Sequence, residues 1–134
     1  MSLFGALNIS GSGIDAAQTW INTTAGNIAN ADDVVATNQS AYASETPVFT
    51  PVASGDQAGD AVQVSGMQLG STAGIVTQDP TNPLADAQGN VLTSDVSLSS
   101  QMVSLIAAQN DYQANTNALS QAKTAYQSAL TLGQ

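Results

Sequence analysis

The stretch SDVSLSSQMVSLIAAQNDYQANTNALSQAKTAYQSALTL, residues 94–132, decides the fold. Within it Leu98, Met102, Leu105, Gln109, Tyr112, Thr116, Leu119, Lys123, Tyr126 and Leu130 keep an unbroken four-three spacing. That is the period at which one stripe of an α-helix meets a partner helix. One half of the seam is Leu105, Tyr112, Leu119 and Tyr126; the other mixes Met102 and Leu130 with polar Gln109, Thr116 and Lys123. Thr93-Ser94-Asp95 offers N-cap candidates and Gly133 a C-cap. At 1.5 Å per residue the predicted helix is roughly 55–60 Å long. It needs a partner along its length.

The N-terminal segment supplies one. Leu7, Ile14, Ile21 and Ile28 recur every seven residues, and Leu3, Ala17, Thr24 and Ala31 fill the interleaved seam. Ser12 followed by Asp15 reads as a capping box that starts the helix near Gly13, with the first dozen residues mobile until a partner orders them. Asn27 and Asn30 cap and orient the helix at its other end, Asn tolerating the conformation that closes one.

Between the helical ends, Pro47, Pro51, Pro80 and Pro83 mark a change of character. Thr46–Val52, Ala61–Ser65 and Gly74–Thr77 read as short strands, Val62 and Val64 alternating with polar neighbours. Asp79-Pro-Thr-Asn-Pro is turn chemistry. The expected fold class is mainly α: two terminal helices packed as a coiled-coil-like pair, with an extended or β-hairpin middle. Residues 1–31 form the N-terminal helical segment, 32–93 the middle and 94–134 the long C-terminal helix, the two ends making one domain.

Composition narrows the function. Of 134 residues, 43% are apolar but only 4% aromatic, so an alanine-rich interior gains little per residue from burial. Such a chain benefits from covering more surface with partners. Ten acids face one base, Lys123, for a formal charge of −9. Phosphate backbones and anionic lipid surfaces require clustered Lys or Arg, so nucleic acid is not an expected partner. No run approaches the roughly 18 apolar residues of a membrane span, and the N-terminus lacks the basic region of a secretory signal.

Catalysis finds no foothold. The chain has no His and no Cys, and its carboxylates are scattered apart from Asp32-Asp33. Asp79 to Asp86 supplies too few oxygen ligands for a calcium loop. No catalytic residue, cofactor or metal is expected. Trp20, Tyr112 and Tyr126 are read as packing residues, and Lys123 either pairs with a neighbour's acid or lies along the seam with its ammonium in water. On composition alone, an exported helical-hairpin binding module (an adhesin, effector or export-apparatus partner) is also permitted.

Three motifs sharpen the reading. Ser12-Gly-Ile-Asp-Ala-Ala-Gln18 runs into Asn22-Thr-Thr-Ala-Gly-Asn27-Ile-Ala-Asn30-Ala31. Asn82-Pro-Leu-Ala-Asp86 follows, with Gly89 and Val91. The last runs from Val96 through Met102-Val103, Ala107-Ala-Gln109 and Tyr112-Gln-Ala-Asn115 to Leu130-Thr-Leu-Gly-Gln134. In this order they resemble the bacterial flagellar basal-body rod family, closest to its proximal rod members. The resemblance implies paired terminal helices, export through the flagellar type III apparatus without a cleaved signal, residence in the periplasm-spanning rod, and partnership with copies of itself and other rod proteins. Where the family usually has Glu before the helical Met, this chain has Gln101, and Asn110 and Asp111 replace the Arg or Lys usual near the tyrosine. Rod salt bridges of the family type therefore fall to Lys123 alone.

Overall fold

The computed structural model describes the backbone of residues 3–54 and 57–132 and the side chains of residues 4–53 and 61–132. The elements run α1 (Leu3–Ala29), β1 (Val34–Val35), β2 (Glu45–Ser54), β3 (Gln57–Leu69), β4 (Ile75–Gln78), β5 (Asn90–Thr93) and α2 (Leu98–Leu132). The chain is mainly α, with two long terminal helices and a sheet-containing middle.

Helix α1 begins at Leu3, ahead of the start expected near Gly13. A glycine inside a helix costs ~0.5–1 kcal/mol relative to alanine; at Gly13 the bare α-carbon lets the Asn115 side chain of α2 approach, since a Cβ there would lie 2.5 Å from it and Asn115 would have to turn aside. Ser12 is consequently not a cap. Its hydroxyl donates to the Ile9 carbonyl at 3.0 Å and accepts the Val62 N–H at 3.0 Å, tying α1 to β3. At the far end Asn30 donates its side-chain amide to the Gly26 carbonyl at 2.8 Å, holding the last turn.

Helix α2 begins at Leu98, which moves its cap from residues 93–95 to Ser97. Ser97 Oγ accepts the Ser100 N–H at 3.4 Å, satisfying a donor that the first turn leaves free. Thr93 closes β5, and the Ser94 N–H donates to the Asp33 carbonyl at 3.1 Å. Gly133 and the Leu3 side chain lie outside the described residues.

The chain divides into two compact units, each drawing on both helices and the middle. The first takes in α1 up to Ile21, Pro47–Gly66 and α2 from Ile106. Here Trp20 meets Phe49 of β2 edge-on, centroids 6.1 Å apart, and Phe4 meets Tyr126 in the same manner at 5.8 Å. Val62 and Val64 are half-buried while Gln63 and Ser65 are exposed, the alternation of a strand covered on one face.

The second unit comprises Asn22–Thr46 and Met67–Leu105. Its three-stranded antiparallel sheet has the order β1-β5-β4, with Val34 opposite Thr93 on one side and Ile75 opposite Thr93 on the other. Central β5 buries Val91, 1% exposed, and Leu92. Neither β1 nor β5 is among the strands expected from sequence: β1 is two residues long, and Val91-Leu92 of β5 are adjacent apolar residues with no alternation.

The approach to β4 turns at Gly74, whose φ is +64°. A Cβ at this position would stand 2.7 Å from both the Ala41 Cβ and the Thr93 carbonyl oxygen. Gly74→Ala is expected to cost about 2–4 kcal/mol, the left-handed backbone contributing ~1–2 and overpacking the rest. Gly66→Ala, where the added methyl meets open space, is the matched control. Urea midpoints of the two variants check the difference.

Candidate functional site

The buried side chains of both helices are mostly small. On α1, Ser10, Gly13, Ala16, Ala17, Thr24 and Asn27 are buried, whereas Leu7, Ile14, Ile21 and Ile28 are half-buried beside them. On α2, Leu105 and Leu119 are half-buried, and Tyr112 and Tyr126 are about two-thirds covered. The alternate seam positions are Gln101, Ala108, Asn115 and Ala122, one residue earlier than expected, and Ala108 is fully buried. Met102 and Leu130 are more than half exposed and Gln109 and Lys123 face solvent, so none of the four lines the seam. The physical reason is distance: helices approach closely only where small residues meet, and the larger residues then stand outside.

In the first unit this seam is antiparallel, since Phe4 reaches Tyr126 and Gly13 abuts Asn115. In the second unit it is fastened by Asn27, 1% exposed. Its Nδ2 donates to the Glu45 carbonyl at 2.8 Å and to Gln101 Oε1 at 3.1 Å. Its Oδ1 accepts the Tyr42 hydroxyl at 3.0 Å and the Glu45 N–H at 2.9 Å. An amide has two donors and two acceptor lone pairs, and all four are used. Asn27 therefore joins α1, the entry to β2 and α2 at one point, where the sequence reading expected a helix cap. Glutamine at 101 keeps this junction neutral.

The loop from β4 to β5 is fastened by two carboxylates. Asp79 accepts from the Thr81 hydroxyl at 2.9 Å and the Asn82 amide at 3.2 Å. Asp86 Oδ1 accepts the Gln88 and Asn90 N–H groups, each at 2.9 Å, just before buried Val91. Gly89, at φ +80°, stacks its bare α-carbon on Pro80. The Thr81 hydroxyl holds the Asp79 carboxyl, and the Asn90 N–H the Asp86 carboxyl, below the ordinary value of 3.8. A depressed folded value contributes stability above the unfolded pKa that is lost as pH falls through the folded one. Side-chain NMR titration should therefore find both midpoints below 3.8, with the Gln88 and Asn90 amides moving in step with Asp86.

Large apolar side chains stand on the outside. Leu98, Met102, Val103, Ile106, Leu130 and Leu132 of α2 are exposed, Val103 to 68% and Leu132 to 89%. Ile75 and Val76 of β4, Leu84 and Leu69 are exposed as well. Isolated exposed apolar residues are ordinary, but here they outnumber the large apolar side chains that are buried among the described residues, Val91 and Leu92. Among the described residues no group of three or more His, Cys, Asp or Glu is placed to hold a metal ion, and no helix is long and apolar enough to cross a membrane.

Two long terminal helices with small buried side chains, a sheet-containing middle segment and many exposed large apolar side chains suit a structural protein rather than a catalyst. Residues 87–132, which hold β5 and α2, match the family model described as flagellar basal body rod FlgEFG protein C-terminal. Across the whole chain, the flagellar basal-body rod protein FlgC of Yersinia enterocolitica is 35% identical over 134 residues, with 100% of each chain covered. That of Salmonella typhimurium is 34% identical with the same coverage, and that of Buchnera aphidicola subsp. Acyrthosiphon pisum is 32% identical over 136 residues, again with 100% of both covered. The chain belongs to the FlgC family of flagellar basal-body rod proteins, a structural family rather than an enzymatic one.

Proposed function

We propose that this chain is a structural subunit of the flagellar proximal rod, exported without a cleaved signal and set in the periplasm-spanning shaft among copies of itself and other rod proteins. In that setting α1 and α2 act as a coiled-coil-like pair, and interlocking of such pairs between subunits transmits torque. The reading is carried by one inversion: small side chains are buried within the chain while Met102, Val103, Leu130 and Leu132 are left in solvent. Each Å² of that apolar surface yields about 25 cal/mol once a neighbour covers it. The family relationship favours the rod over a free exported binding module.

The test is incorporation. Leu119 sits half-buried in the seam, so Leu119→Asp places an unpaired carboxylate between the helices. A strain carrying only this variant is expected to be non-motile, with the chain missing from immunoblots of purified basal bodies. Full motility of that strain would overturn the proposal.

A further inference from the structure

We propose that the free edge of β4 is a docking site for an extended basic segment of a different protein, which adds to the sheet as a fourth strand. This rests on the chain being an assembly component. The site has two independent features: an unprotected strand edge, and a one-sided charge field around it.

Among the described residues the backbone ladder of β4 runs to β5 alone, leaving its other side unpaired. Exposed edges in folded proteins are normally protected by lysine, proline, a bulge or a covering segment. Ile75-Val76-Thr77-Gln78 has no charge and no proline, and its register from Ile75 opposite Thr93 to Gln78 opposite Asn90 is unbroken. All four residues are exposed, Val76 to 65%. Because successive strand side chains point to opposite faces, β4 is bare on both. Such an edge takes an added strand by main-chain hydrogen bonds.

Charge selects the occupant. The second unit carries Asp32, Asp33, Glu45, Asp79, Asp86 and Asp95 and no Lys or Arg. Asp79 directly follows β4 at its Gln78 end, with Asp86 in the same loop, and Asp95 lies two residues past Thr93, the β5 partner of Ile75; Asp33 adjoins β1, on the far side of β5. A strand added to β4 thus has Asp79 beside its Gln78 end and runs along a unit that carries acids and no base. A second copy would bring the same edge with the same acids, at −9 per chain. The fitting partner has a short alternating apolar stretch with Lys or Arg on either side.

The probe is a synthetic peptide, Lys-Arg-Val-Thr-Val-Thr-Lys-Arg, added to the full isotope-labelled chain, with the Glu-for-base peptide as control. The basic peptide is expected to shift the amides of residues 75–78, to slow their hydrogen exchange, and to bind more weakly as salt rises. Val76→Lys, at an exposed position, should leave the fold intact and weaken binding at least about tenfold by adding the missing edge charge. Equal shifts with the acidic peptide, shifts confined to other residues, or unchanged binding by Val76→Lys would each overturn the proposal. So would concentration-dependent shifts at β4 without peptide, which would make a second copy the occupant. If Val76→Lys enters basal bodies at the parent level, the docking edge is wrong and the rod reading stands. If the parent chain itself is absent from basal bodies, the rod reading fails whatever the peptide does.

Discussion

Asn27→Leu is expected to lower stability by about 3–5 kcal/mol, the largest loss from any single substitution considered. Leucine branches at the same carbon but is the larger side chain, so some overpacking adds to the loss. Most of it comes from the hydrogen bonds. Removing the amide strands the Tyr42 hydroxyl and Glu45 N–H as donors, and the Glu45 carbonyl and Gln101 Oε1 as acceptors, around a position 1% exposed. Each buried group left unsatisfied costs on the order of 1–3 kcal/mol, reduced where water enters. Asn27→Asp separates this from shape: a carboxylate still accepts from Tyr42 and Glu45 N–H but turns an oxygen toward the Glu45 carbonyl and Gln101 Oε1. Protonation restores one donor, which raises the folded pKa of the new acid. A group so raised binds its proton more tightly when folded, so stability falls as pH rises through that range. Asn27→Asp should therefore approach the parent on acidification from neutral pH, while Asn27→Leu should not. Urea midpoints of both at neutral and mildly acid pH check it.

Val103→Asp is expected to do the opposite: to leave the isolated chain's melting unchanged and to remove the chain from the rod. Val103 is 68% exposed on α2, and substitutions at such positions usually change stability by less than about 0.5 kcal/mol. If neighbouring subunits cover this face, the new carboxylate is buried there without a partner, a penalty of several kcal/mol per contact. In a polymer that penalty recurs at every subunit. Val103→Ala loses only part of the contact and should retain partial incorporation. Thermal melting of the purified variants, paired with immunoblots of basal bodies, separates loss of fold from loss of assembly.

Both helices are legible in the sequence because their seven-residue recurrence survives substitution of any one position. Their phase is less so. On α2 the stretch Leu105-Ile106-Ala107-Ala108-Gln109 offers apolar residues on several sides, and reading the larger ones as the seam puts Met102 and Leu130 inside. Close helix contact reverses this and buries Ala108 and Ala122. The start of α1 is hidden for a related cause: glycines at 11 and 13 weaken a helix taken alone, and the close approach of Asn115 to Gly13 is not visible in the spacing.

The junction at Asn27 is out of reach of periodicity. Its partners Tyr42, Glu45 and Gln101 come from segments far apart in the chain, and nothing in their spacing declares that they converge. What could have signalled it is a polar residue on the buried face, one turn after Thr24, where a seam would otherwise be apolar. The same logic applies to the loop of Asp79 and Asp86, legible as turn chemistry but not as the support of Val91.

The most direct measurement is a cryo-EM reconstruction of basal bodies containing this chain. It is expected to show Leu98, Met102, Val103 and Leu132 covered by neighbouring subunits, with Phe4 still against Tyr126 and Asn27 still bonded to Gln101 within one chain. Finding those two contacts broken, with α1 and α2 paired only between different chains and the outward apolar residues left in solvent, would contradict it.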